Sequence, residues 1–206
     1  KNFTILSVHR LIPPAMEALS DGELNIDGYL CPGHVSTIIG EKPYSSIAQR
    51  FNIPCVIAGF EALDILGGIY LLLRQIHEGK SYVENGYRRV VKPEGNRLAR
   101  EVIDRVFKPV DSEWRGIGKI ENSGLILKEE FKDFDAEKRF DIEIEEPKLH
   151  PGCICGEILK GLKIPTECKN FAKYCTPDEP LGSCMVSSEG TCAAYYKYGE
   201  GRKINA

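Results

Sequence analysis

The sequence predicts an α/β fold, a parallel sheet with flanking helices, joined to a small cysteine-rich subdomain. Three observations carry this. Over roughly the first hundred residues, short apolar runs alternate with amphipathic stretches, the order that yields parallel strands linked by helical crossovers. Six of the eight cysteines fall between residues 153 and 192, where core filling alone would not collect them. Between these regions lies an acidic stretch. The expected division is an α/β domain over 1–120, followed by an acidic connector and the cysteine-rich subdomain over 121–206.

Phe3-Thr4-Ile5-Leu6-Ser7-Val8 reads as the first strand, and Pro13-Pro14 opens a helix that runs to Leu19. Tyr29-Leu30-Cys31 reads as a second strand, stopped by Pro32-Gly33. A helix over 44–51 precedes the third strand, Pro54-Cys55-Val56-Ile57-Ala58-Gly59, and a helix over 61–77 follows it. Asn96 is placed to cap a further helix reaching residue 107, with Leu98, Val102, Ile103 and Val106 as its apolar face. Three strands are few for such a sheet and the chain opens on Lys1, so a preceding N-terminal part is expected. After Trp114-Arg115-Gly116-Ile117-Gly118 the composition turns acidic over 128–146, most plainly a solvated face. Pro147 and His150-Pro151-Gly152 mark the next boundary.

Composition excludes several classes. With 42% hydrophobic and 28% charged residues in 206, the chain can bury a sizeable core, and disorder is not its main state. A net charge of -3 supplies no positive field for nucleic acid or an anionic membrane. No apolar run approaches the roughly 20 residues of a membrane span, and no secretory h-region follows Lys1, so a cytoplasmic location is expected. The sequence holds no G-x-G-x-x-G, P-loop or G-x-S-x-G pattern to support a nucleotide or a hydrolase nucleophile.

The tail reads Cys153-Ile154-Cys155, then Cys168, Cys175, Cys184 and Cys192. In a reducing compartment such a cluster points to a metal, cluster or redox site rather than a disulfide framework. The two C-x-x-C knuckles of structural zinc are missing, and so are the ferredoxin spacings. Six thiols divide naturally into four ligands for one [4Fe-4S] cluster and two left over. If Cys153 and Cys155 lie on an extended segment, their side chains share a face about 6.5 to 7 Å apart between alpha carbons. If residues 170–174 are helical, Cys168 and Cys175 stand roughly 10 Å apart along one face, a span for a bulky cluster rather than a lone zinc. Buried reduced thiols or a zinc site are the plainer alternatives.

Elsewhere, Cys31 and His34 stand beyond the carboxyl end of a predicted strand, where open α/β sheets place ligands, with His9 and Arg10 beside the same crevice. For Cys31, and for Cys55 within its apolar strand, a small buried side chain is the plainer reading; for His34, a hydrogen-bonded structural imidazole. Glu61 and Asp64 suit a helix dipole. Glu189 is a candidate for the tail site or for a turn.

Three stretches together carry a resemblance: Cys31-Pro32-Gly33-His34-Val35-Ser36-Thr37-Ile38-Ile39-Gly40, then Pro54-Cys55-Val56-Ile57-Ala58-Gly59-Phe60-Glu61, then Glu113-Trp114-Arg115-Gly116-Ile117-Gly118. With the C-x-C tail and Gly182-Ser183-Cys184-Met185-Val186-Ser187-Ser188-Glu189-Gly190-Thr191-Cys192-Ala193-Ala194-Tyr195-Tyr196, the chain resembles the C-terminal portion of the HypD family of hydrogenase maturation proteins. The resemblance implies a scaffold that helps assemble the Fe(CN)2CO group of [NiFe] hydrogenases with the chaperone HypC and the cyanide carrier HypE. It implies two related α/β domains, of which the first is absent here, and a cluster-bearing third; the transient Fe(CN)2CO iron is expected only with that first domain. The family's cluster environment is similar to that of the ferredoxin:thioredoxin reductase catalytic subunit. By that likeness Cys153, Cys168, Cys175 and Cys192 bind a [4Fe-4S] cluster, and Cys155 with Cys184 forms a redox-active dithiol/disulfide pair. The competing class is a non-redox, zinc-stabilised docking module.

Overall fold

In the computed structural model, which describes residues 2–140 and 150–199, the chain first runs α1 (Ile12–Ser20), β1 (Tyr29–Pro32), α2 (Gly33–Ile39), α3 (Ser45–Phe51), β2 (Cys55–Ala58), α4 (Ala62–His77), β3 (Val83–Asn85) and α5 (Arg97–Val106). The strands form one parallel sheet in the order β1-β2-β3. Every residue of β2 is buried, as a central parallel strand covered on both faces requires. Strand alternation splits its side chains. Cys55 and Ile57 enter a core with Cys31, Met16 of α1, Tyr44, and Ile47 and Ala48 of α3. Tyr44 is fully buried there, its hydroxyl 3.1 Å from that of Ser36. Leu30 and Ala58 turn to the opposite face, where α4 packs through Gly68. A methyl group placed on Gly68 would come within 2.5 Å of Leu30 Cδ1 and 2.9 Å of Ala58 Cβ, so the missing side chain sets the helix-to-sheet distance. The outer face of α4 turns Leu63, Leu66, Tyr70 and Leu73 to solvent.

The third strand is β3, and the segment read as a strand at residues 3–8 lies elsewhere. Ile5 makes an isolated bridge to Asp135, and its N–H donates to the Phe134 carbonyl at 2.7 Å. Residues 9–11 instead pair with the hairpin that follows α5: β4 (Phe107–Trp114) and β5 (Gly118–Leu127), antiparallel, with an irregularity between Val110 and Ser112. The free edge of β5 supplies the backbone partners that the short parallel sheet does not. α5 is capped by Asn96, whose side chain accepts from the Ala99 N–H at 3.1 Å, and it passes into β4 without a loop.

Beyond the hairpin, α6 (Ala136–Arg139) follows a 3-10 turn, and the cysteine-rich part contains α7 (Cys155–Leu159), α8 (Ser183–Val186) and α9 (Thr191–Tyr198). Its core is separate from that of the sheet and is built largely of cysteine. The acidic residues Asp141, Glu143, Glu145 and Glu146, and Pro147 of the expected boundary, lie outside the described residues. Among the described residues no helix is long and apolar enough to cross a membrane.

Candidate metal centre

The structure gathers all six tail cysteines. Cys155, Cys175, Cys184 and Cys192 are buried together with Ile158, Met185 and Ala193, and Cys153 and Cys168 pack against them. Cys153, Cys155, Cys168, Cys175 and Cys192 line one narrow cavity, walled otherwise by Asn170 and the apolar side chains Ile158, Phe171, Leu181 and Met185. Cys184 stands behind it, its sulfur 4.0 Å from the Cys155 carbonyl oxygen. All eight cysteines of the chain are free.

Both conditional geometries turn out differently. Cys155 begins α7 instead of continuing an extended segment, so the C-x-C bends and its two sulfurs approach to 3.2 Å. Residues 170–174 form turns, not a helix: the Asn170 carbonyl accepts the N–H groups of Lys173, Tyr174 and Cys175, with Ala172 at a φ of 61°. That turn returns Cys175 toward the cavity, where its sulfur accepts the Leu181 N–H at 3.4 Å.

Gly182 forms the cradle beneath the C-x-C. A methyl group there would lie 2.5 Å from the Cys155 sulfur and 2.6 Å from that of Cys153. The donor set therefore fits a group held by soft ligands: thiols ring an apolar cavity into which the backbone comes close without a side chain. Among the described residues no three His, Cys, Asp or Glu side chains converge closely enough to share a single metal ion.

The electrostatics single out Cys155. The thiols of Cys184 and Cys192 act as its hydrogen-bonding neighbours and hold it well below the ordinary thiol range. Their own values rise in return, Cys184 to about 12, chiefly through the Cys155 sulfur. Burial, then the contact with Cys155, pushes Cys153 up to about 11. In a shared sulfur cluster one member carries the charge and its neighbours keep their protons.

Outside the tail, Cys31 and Cys55 are buried neighbours on adjacent strands; Cys31 is raised by its contact with Cys55, and Cys55 is lowered by the same contact. His34 is exposed at the start of α2, its ring 4.5 Å from that of Phe60. His9 and Arg10 sit against the hairpin rather than beside Cys31, because residues 9–11 pair with β5; the His9 ring meets Phe107 edge-on at 5.2 Å. Glu61 is the N-cap residue of α4, and Asp64 in its first turn receives both terminal nitrogens of Arg89 at 2.6 Å. Glu189 lies in an exposed turn between α8 and α9, its N–H donating to the Ser187 hydroxyl at 3.2 Å.

Sequence reasoning missed the residues that hold the tail in place. Arg115 at the hairpin tip donates to the Leu181 carbonyl at 2.7 Å, and the Ser183 hydroxyl donates to the Arg115 carbonyl at 2.9 Å. Gly116 and Gly156 bring the tip against α7: a methyl group on Gly156 would come within 2.5 Å of the Gly116 oxygen. The run of Trp, Arg and three flanking small or apolar residues at 114–118 was the available signal, though nothing in it names its contact across the chain.

A family model named HypD, described as the Hydrogenase formation hypA family, matches residues 1–199. The putative hydrogenase expression/formation protein of Methanocaldococcus jannaschii is 48% identical over 197 residues, 96% of this chain and 55% of that protein. The hydrogenase expression/formation protein HupD of Azotobacter chroococcum is 47% identical over 210 residues, 98% of this chain and 55% of that protein. The hydrogenase maturation factor HypD of Cupriavidus necator is 44% identical over 211 residues, 98% of this chain and 56% of that protein. The chain thus spans about half the length of the curated relatives it matches.

Proposed function

Because this chain belongs to the HypD family of hydrogenase formation proteins, we propose that it is the cluster-bearing, thiol-active part of a scaffold for hydrogenase maturation. On this reading Cys153, Cys168, Cys175 and Cys192 hold a [4Fe-4S] cluster, while Cys155 and Cys184 form a redox pair beside it. The observation that carries the reading is the single apolar core holding all six tail thiols. When bound, the cluster supplies one-electron transfer beside a two-electron thiol couple.

The chain's own residues supply the rest. Cys155, which lines the cavity, and Cys184, which stands behind it, are the two sulfurs of that pair. Oxidation of the reduced pair to a disulfide forms one S–S bond, releases the protons the thiols carry and yields two electrons, which the iron complex under assembly accepts. Ile158, Phe171 and Met185 exclude water from the sulfurs. The cargo is the Fe(CN)2CO iron, the partners are a HypC-like chaperone and a HypE-like cyanide carrier, and completing the group takes the part of the relatives that this chain does not span.

The test compares two substitutions in the complete maturation protein. Cys168→Ala is expected to lose its iron. Cys155→Ala is expected to keep its iron and yet abolish hydrogenase maturation; loss of iron in that variant would overturn the division of roles.

A further inference from the structure

The geometry points to the tip of the β4–β5 hairpin as a clamp that holds the thiol site in register, with Arg115 as its positioning residue. Resting on the redox reading of Cys155 and Cys184, the clamp sets how closely those two sulfurs are kept and how far they are shielded.

The tip grips the tail on both sides of one glycine. The Arg115 guanidinium donates to the carbonyl of Leu181, and the Arg115 carbonyl receives the hydroxyl of Ser183. Gly182, pinned between these two bonds, is the residue whose backbone rests on the Cys153 and Cys155 sulfurs. Leu181 also donates its N–H to the Cys175 sulfur, and Ser183 directly precedes Cys184. A third contact closes the grip from the other side: Gly116 lies where a methyl group would meet Cys155 Cβ at 3.2 Å, and its oxygen faces Gly156.

The hairpin can act as a rigid arm. The Trp114 indole N–H donates to the Ser123 hydroxyl at 2.8 Å, and Ser123 donates onward to the Ile120 carbonyl, so the strands are tied just behind the tip. The Ile117 N–H closes the turn onto the Trp114 carbonyl at 2.9 Å. Positive φ at Gly116 and Gly118, 89° and 103°, allows that tight turn, a conformation that other residues adopt only with strain. Since α5 runs directly into β4, the arm is continuous with the α/β unit. The thiol site is thereby held from outside its own subdomain.

The experiment follows alkylation of each cysteine by iodoacetamide, read by mass spectrometry on the anaerobically purified, reduced chain. Arg115→Ala removes the guanidinium half of the grip and leaves the backbone bond to Ser183, and Gly156→Ala wedges the tip away from α7. Each is expected to raise the rates at Cys155 and Cys184 at least about threefold, the discounted effect of losing a charge-assisted hydrogen bond at an exposed site. Cys31 and Cys55, buried in the other core, should keep their wild-type rates, and Arg115→Lys should return Cys155 and Cys184 toward wild type. Unchanged rates at Cys155 and Cys184 in both variants, or equal acceleration at Cys31 and Cys55, would overturn the clamp. Iron content of the same samples tests the cluster separately: a wild-type chain without iron would count against that reading while the thiol rates still decide the clamp.

Discussion

Asp64 illustrates how single side chains tune this fold. The two hydrogen bonds from Arg89 hold its carboxyl below the ordinary carboxylate range. A carboxyl whose pKa is depressed on folding adds stability above its unfolded pKa, about 3.9, and loses it as pH falls through the lower folded value. Thermal melts of wild type and Asp64→Asn are therefore expected to differ at pH 7 and to converge in strong acid; a difference that persists unchanged there would contradict the pairing. Asp64 was visible in the sequence as a first-turn carboxylate, but Arg89 lies 25 residues away and no local pattern announces it. The same holds at the metal centre. The six tail cysteines could be picked out by type and clustering, whereas Gly182 became intelligible only once it was seen resting on two sulfurs from the other end of the subdomain. Steric closeness between distant residues leaves no periodic trace.

At the scale of elements, legibility followed periodicity. The helices predicted over 44–51 and 61–77 correspond to α3 and α4, and the helix begun at Asn96 corresponds to α5: α4 is long and apolar, α5 has a side-chain cap, and the short α3 buries Ile47 and Ala48. Asn96→Ala should remove the Ala99 contact and cost about 1 kcal/mol, measured as a fall in Tm of roughly 2–4 °C; an unchanged Tm would show that α5 is held by its neighbours alone. β3 escaped notice because it is only three residues long and carries Glu84, whose charge is met by Arg74 at 2.6 Å. The β4–β5 hairpin was hidden by Pro109 and by the charged residues Asp111, Glu113, Lys119 and Glu121, which mask the alternation of a half-exposed ribbon. Residues 3–8 are a mostly apolar run, yet their backbone partners lie outside the parallel sheet, so the apolar pattern alone misplaced them. C-x-C followed the same rule: spacing along the chain does not fix side-chain separation when a helix begins at the second cysteine.

For the whole molecule, the parallel sheet and the cysteine core are two hydrophobic centres linked by a hairpin whose tip reaches the second of them. Family membership places this arrangement among the hydrogenase formation proteins, and the chain spans about half the length of the curated relatives it matches. On the proposed function, the cysteine core holds an iron-sulfur cluster beside reactive thiols. The most direct test is the iron, zinc and acid-labile sulfide content of the anaerobically purified chain, with its visible absorption spectrum. About four irons and matching sulfide per chain, with a broad visible band, are the result expected of a [4Fe-4S] centre. Zinc in place of iron, or no metal with all six tail thiols free, would contradict it and leave a structural docking module.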